Sequence, residues 1–284
     1  MRGAASVAVA ILFVVAAGCS GDDDTAADAT GGGEADTAKA APPLTATLQR
    51  STLFETHRSL RLTVTNGGDR DLEIAAVQLS SPLFEPAAPQ VRDVSVAASE
   101  RVAIPLPFGT PQCGDVADEP SELVARIAGE DVHVAIEERP GDLLAELHDV
   151  ECAANAVVAS VDLRLGDTWN RTEPRTIEGE IELAQRRSGA KAVLEELRGN
   201  VIFKVSPAGA AGSPIEVNDD TRSASAPIAI TAFRCDPHAL IEYKRTFILD
   251  AYVALNGGER TRVDIAAQGG ARRALEELLR SCIG

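Results

Sequence analysis

Two stretches of this chain read as copies of one another, and they constrain its fold more than any other feature. One runs Gly258-Glu259-Arg260-Thr261-Arg262-Val263-Asp264-Ile265, then Gly269-Gly270, then Ala271 to Cys282. The other runs Gly129-Glu130-Asp131-Val132-His133-Val134-Ala135-Ile136, then Pro140-Gly141, then Asp142 to Cys152. Each predicts an alternating strand, a Gly break, an apolar-striped helix and a closing cysteine. A further cysteine precedes each copy, Cys113 in one case and Cys235 in the other. The repeat therefore selects Cys113 with Cys152 and Cys235 with Cys282 from the three pairings that four cysteines allow. Each bridge would close a loop of roughly 40 to 50 residues and stabilise its unit by ~3–4 kcal/mol on the chain-entropy account.

Between these landmarks the pattern has period two. Leu60, Leu62 and Val64 alternate with polar residues up to the turn Asn66-Gly67-Gly68-Asp69. Leu72 to Leu79, Val94 and Val96, and Val102 to Leu106 follow, and Pro105 and Pro107 assign the last of these to a sheet edge. Leu123 to Ile127 and Val132 to Ile136 form a hairpin. The second half repeats the order with strands at Val157 to Leu165, Ile177 to Leu183, Val201 to Val205, Pro214 to Val217 and Pro227 to Phe233. Phe247 to Leu255 then turns at Asn256-Gly257 into Val263 and Ile265. Lys191 to Arg198 is rich in helix formers, but its counterpart near Ala76 to Ser80 reads as strand, and strand is expected here too. In the last helix Ala271, Ala274, Leu275, Leu278, Leu279 and Cys282 form one apolar stripe. Leu143, Leu144 and Leu147 do the same in the first copy.

The N-terminus bounds the compartment. Met1-Arg2 precedes an apolar run from Ala4 to Ala17, shorter than a membrane-spanning helix requires. Val15-Ala16-Ala17-Gly18-Cys19 resembles the lipobox of bacterial lipoproteins, with Ala16 where Leu is usual. That resemblance implies removal of residues 1–18 and acylation of Cys19, which would hold the protein to the cell membrane on its extracytoplasmic face. Residues 19–43 then form an acidic tether with Asp22-Asp23-Asp24 and Gly31-Gly32-Gly33 but no core-forming residue. An even number of remaining cysteines suits export. The formal charge of −16 argues against nucleic acid as a partner.

Strand count and cysteine plan together resemble tandem immunoglobulin-like domains, and more loosely two-domain lipoproteins of GC-rich Gram-positive bacteria. The resemblance implies a mainly β chain of two antiparallel sandwiches, residues 44–153 and 154–284, each ending in a short disulfide-tied helix. It lacks the Cys…Trp…Cys arrangement of antibody domains, since the one Trp is Trp169, in a polar loop.

Few residues suggest chemistry. Arg234-Cys235-Asp236-Pro237-His238 places a carboxylate and an imidazole beside a cysteine, a candidate ligand or metal contact with Glu242 and Lys244 nearby. Its bland counterpart is a bridged Cys235, a turn at Asp236-Pro237 and a helix cap at His238. Trp169 is a candidate partner contact. Asp219 and Asp220 suit either a weak calcium site or a solvated turn, and Asn170-Arg171-Thr172 matches a glycosylation acceptor by chance. No nucleophile motif, zinc motif or phosphate loop appears, so neither a cofactor nor a resident metal is expected. The sequence expectation is a non-enzymatic envelope protein that binds another envelope or surface protein or supports an envelope complex, with a ligand- or metal-binding receptor, or a hydrolase, using Asp236 to His238 as the alternative.

Overall fold

A computed structural model describes residues 43–50, 58–137, 142–208 and 214–283. The lipobox, Cys19, the tether, His57 and the Pro140-Gly141 break lie outside the described residues. Residues 41–284 cluster as one compact unit. Its architecture is mainly β, built from antiparallel sheets, as the period-two pattern predicts.

The first part comprises β1 (Leu44–Gln49), β2 (Ser59–Asn66), β3 (Leu72–Ser80), β4 (Gln90–Val96), β5 (Arg101–Pro107), β6 (Glu122–Ile127) and β7 (Glu130–Glu137). They hydrogen-bond in the order β4-β3-β6-β7-β1-β2-β5. Every pairing is antiparallel except β1 with β7, where Ala46 faces Ile136 and Thr47 faces Glu137 in parallel. The sheet closes over one core that takes Leu62 and Val64 from β2, Ile74 and Val77 from β3, Leu106 from β5 and Leu123 from β6. Leu62 and Val64 are alternate positions on β2, while Ile74 and Val77 are three apart because the pairing of β3 slips between Ile74 and Ala76, and the other face can stay polar. Strand β5 ends the order, the edge position its two prolines predicted.

Asn66 closes the β2 turn from inside. It is fully buried, its amide donates to the carbonyls of Arg70, Val96 and Ala97, and its oxygen accepts from Gly68 N–H. Burying an amide costs little only when it is satisfied in this way.

Helix α1 (Leu143–Ser160) follows, capped by Asp142, whose carboxylate accepts from Ala145 N–H at 2.9 Å. Here the structure corrects the sequence reading. The helix does not stop near Cys152 as a short end-piece of the first sandwich but continues eight residues further, across the expected 153/154 boundary. The expected strand at Val157 to Leu165 begins only at Val161. Val157 and Val161 are both buried four residues apart, a spacing that fits the helical period and the strand period alike over so short a run.

The second part holds β8 (Val161–Leu165), β9 (Asn170–Glu173), β10 (Thr176–Gln185), β11 (Ala192–Arg198), β12 (Phe203–Pro207), β13 (Ile215–Val217) and β14 (Ser223–Ala232). Helix α2 (Pro237–Glu242), β15 (Ile248–Leu255), β16 (Arg260–Ala266) and helix α3 (Gly269–Ile283) complete it. One sheet runs β12-β14-β10-β8, with β9 on β10; the other runs β13-β11-β15-β16. Leu183, Phe203, Ile230, Leu249 and Val253 from the two sheets share one core with Ala271, Leu275 and Leu278 of α3. Lys191 to Arg198 is strand despite its helix formers, because β13 and β15 pair with β11 on both sides and bury Ala192 and Leu194. The pairing of β11 with β15 slips between Leu194 and Glu196, as that of β3 with β6 slips between Ile74 and Ala76.

The Gly269-Gly270 break is required by geometry. Gly269 has a φ of 52°, and a Cβ on Gly270 would lie 1.9 Å from the Asp167 carbonyl oxygen. The Asp167 carboxylate accepts from Gly270 N–H at 2.9 Å.

Candidate functional site

The Asp236 cluster folds as a structural motif. Asp236 is the N-cap of α2, accepting from Ala239 N–H at 2.8 Å and pairing with Arg234 at 2.7 Å. The amide hydrogen bond, then the guanidinium, holds its carboxyl below the usual range. The cap is thus Asp236, while His238 lies exposed at the second position of α2. Cys235 is disulfide-bonded. The side chain of its expected partner, Cys282, lies outside the described residues. The other expected bridge, Cys113 to Cys152, is formed, with Cα atoms 5.5 Å apart. Among the described residues no group of three His, Cys, Asp or Glu is placed to hold a metal ion.

Trp169 is half-buried against the second core. Its indole N–H donates to the Gly166 carbonyl at 2.6 Å, and its ring lies on Gly179, where a Cβ would approach Cδ2 to 2.5 Å. Packing accounts for its position. Asp219 accepts from Gly189 N–H and the Gln185 amide, which lower its pKa, and Asn218 accepts from Asp220 and Thr221 N–H in a tight turn.

A cleft of about 770 Å³ lies where sequence reasoning pointed to nothing, between β8 and β16. Each is the terminal strand of its sheet. The ladder phase can be read from two bonds beyond the strand ends. Arg186 N–H donates to Ser160 and Gly166 N–H to Glu180, so the even-numbered residues of β8 bond to β10. Leu163 and Leu165 therefore turn their backbone groups away from β10. Ala267 N–H donates to Phe247, so by the same alternation Arg262, Asp264 and Ala266 turn theirs away from β15.

Val161, Leu165, Val263 and Ile265 give the cleft an apolar floor. Arg164 with Glu182 at 2.7 Å and Arg186 with Asp162 at 2.6 Å stand at its rim, and Asp264 is held by Arg245 at 2.7 Å. In the first part the strands at the matching sheet positions, β1 and β7, pair directly, and no such cleft exists between them. The difference was illegible because alternating patterns alone do not say which edges meet.

A second groove of about 490 Å³ runs beside α1, between Arg50 and Arg58 of the first part and Arg245 and Arg262 of the second. Each arginine already faces a carboxylate, respectively Glu146, Glu151, Asp264 and Asp250.

Neither a protein-family model nor a curated protein sequence matches the chain. Among solved structures it is similar to red sea bream transglutaminase, at 8% identity over 79% of this chain and a TM-score of 0.23. It is also similar to a protein of unknown function from Porphyromonas gingivalis W83, at 16% identity over 80% of this chain and 99% of that one, with a TM-score of 0.21. The YadV chaperone shares 8% identity over 74% of this chain and 92% of its own, with a TM-score of 0.16. The chain spans about a third of the length of the transglutaminase, 31%. Likenesses of this size assign neither a fold family nor an activity.

Proposed function

We propose that this chain is a lipid-anchored envelope protein that acts by binding a partner protein on the extracytoplasmic face. In this reading residues 1–18 are a signal peptide, Cys19 carries the acyl chains and residues 19–43 are a tether. Beyond it stand two immunoglobulin-like units related as a tandem repeat, with α1 running from one into the other. The matching strand orders β4-β3-β6-β7 and β13-β11-β15-β16, with the matching bulges in β3 and β11, support the repeat. Bridging of Cys235 to Cys282 belongs to the same reading.

The observation that carries the binding role is the open seam between β8 and β16. Two strand edges with outward-turned backbone groups, an apolar floor and a rim of charges suit one occupant, an extended segment of a partner chain added to β8 as a further strand. Backbone hydrogen bonds would supply affinity, and alternate side chains seated on the floor would supply specificity.

Leu163→Pro tests this reading. Proline removes the Leu163 N–H, which faces the cleft and not β10, so the sheet keeps its ladder while the edge is blocked. In cross-linking on intact host cells, a partner recovered with the wild-type protein is expected to be lost with Leu163→Pro while circular dichroism shows the protein still folded at the temperature of the assay. Equal recovery would overturn the seam as the binding site. Replacing Cys19 with Ala is expected to shift the protein from the membrane fraction to the medium, and persistent membrane association would overturn the anchor.

A further inference from the structure

The two sulfurs of the Cys113–Cys152 bridge sit in unlike surroundings. Cys113 is exposed on the loop between β5 and β6, with its sulfur 3.9 Å from the Pro111 carbonyl and 4.0 Å from the Asn155 amide nitrogen. Cys152 is half-buried on α1, one turn after His148. His148 is 9% exposed, with its ring edge-on to Phe84 and Nδ1 3.3 Å from Asp149. Its Nε2 lies 3.1 Å from the Gln112 carbonyl and 3.5 Å from the Cys152 sulfur. A carbonyl oxygen can only accept, so this contact assigns a hydrogen to Nε2, which faces the Cys152 sulfur as well as the carbonyl.

Thiol–disulfide exchange requires a thiolate to approach one sulfur in line with the S–S bond while the other leaves with the electron pair. Access favours attack on Cys113. The imidazole N–H favours departure of Cys152, since a donor beside a thiolate stabilises it. Both asymmetries point the same way.

We propose that Cys113–Cys152 is a thiol-exchange site with a fixed direction, taking an extracytoplasmic dithiol as its reductant. An incoming thiolate attacks the Cys113 sulfur and forms a mixed disulfide there. The S–S bond breaks and its electron pair goes to Cys152, whose thiolate accepts a hydrogen bond from His148 Nε2 before taking a proton from water. The dithiol's second thiolate then attacks its own sulfur in the mixed disulfide and expels Cys113 as a thiolate, which is protonated in turn. Two electrons pass from dithiol to protein, the dithiol becomes a disulfide, and both cysteines end as thiols. The exposed loop is thereby untied from α1. The reading of the β8/β16 seam plays no part in this assignment.

Two measurements on the intact purified protein test it. In the first, brief treatment with glutathione, acid quenching and non-reducing peptide mapping locate the mixed disulfide. An adduct on Cys113 is expected, and an adduct mainly on Cys152 would overturn the direction. In the second, the rate of reduction by dithiothreitol is followed at this bridge and at the bridge containing Cys235. His148→Phe is expected to slow the first by about 3- to 10-fold and leave the second unchanged. His148→Gln, whose amide can still donate, is expected to recover part of the rate. Equal rates in wild type and His148→Phe would remove the imidazole from the step. Because the adduct mapping uses the wild-type protein, the direction stays open to refutation even where His148→Phe does not fold.

Discussion

Leu144 and Val157 lie on the same helix yet belong to different cores, Leu144 to the first and Val157 to the second. Each is almost fully buried, at 1% and 2% exposure. The twelve residues between them are helical throughout. Helix α1 is therefore a structural member of both halves at once, and the two should not unfold independently.

Breaking that helix between the cores should separate them. Ala153 is exposed in mid-helix, so Ala153→Pro removes a helical hydrogen bond and adds a backbone clash without touching either core. The expected effect is a loss of about 3 kcal/mol and replacement of one calorimetric transition by two. A single transition at the wild-type temperature would show that α1 does not couple the halves.

The buried amide of Asn66 should be costly to remove. Asn66→Ala leaves the carbonyls of Arg70, Val96 and Ala97 without their donor, and a loss of about 2–3 kcal/mol is expected in urea unfolding. Asn200, whose amide donates to the carbonyls of Arg245, Thr246 and Ile248, should behave alike. A change below about 0.5 kcal/mol would mean that water replaces the amide at no cost.

Trp169 reports on its own packing, since it is the one Trp in the chain. Gly179→Ala drives a methyl group into the indole ring, so the ring must lift from the sheet. Emission should move to longer wavelength and quenching by acrylamide should rise, with about 1–3 kcal/mol of destabilisation. Unchanged fluorescence would mean that β10, and not the indole, gives way.

The cap of α2 should be lost in acid. The Ala239 N–H, then Arg234, hold the Asp236 carboxyl below the usual carboxylate range, so its contribution is present above the unfolded value and disappears as pH falls through the lower, folded one. Protection of the Ala239 N–H, measured against its intrinsic exchange rate at each pH, should therefore fall as the pH drops below the usual carboxylate range, and Asp236→Ala should show low protection already at neutral pH. Protection that persists in the Asp236→Ala protein would transfer the capping role elsewhere.

Much of this architecture is legible in the sequence because period two is a direct record of which face is buried. Leu60, Leu62 and Val64 are buried in alternation, as are Leu249, Ala251 and Val253. Lys191 to Arg198 was legible only through its counterpart in β3, since its own composition argues for helix. The end of α1 was not legible, because Val157 and Val161, four residues apart, fit both periods over so short a run. The cleft depends on whether β8 meets β16, a long-range fact carried by no local pattern. His148 had one readable signal, its position one helical turn before Cys152, but a helical neighbour of a cysteine gains meaning only once the Gln112 carbonyl fixes the hydrogen on Nε2.

Helix α1 passes into β8 with no residue between them, Ser160 ending one and Val161 starting the other. A pulling force on the first half therefore reaches the second through the end of α1, where Val157 is packed in the second core, and through β8, a five-residue strand that is hydrogen-bonded on one side, to β10. That force loads the β8–β10 ladder along its length, and five residues share it. Val161 and Leu165 of that strand belong to the second core and also wall the cleft, so tension along the chain would be felt in the cleft and in that core together.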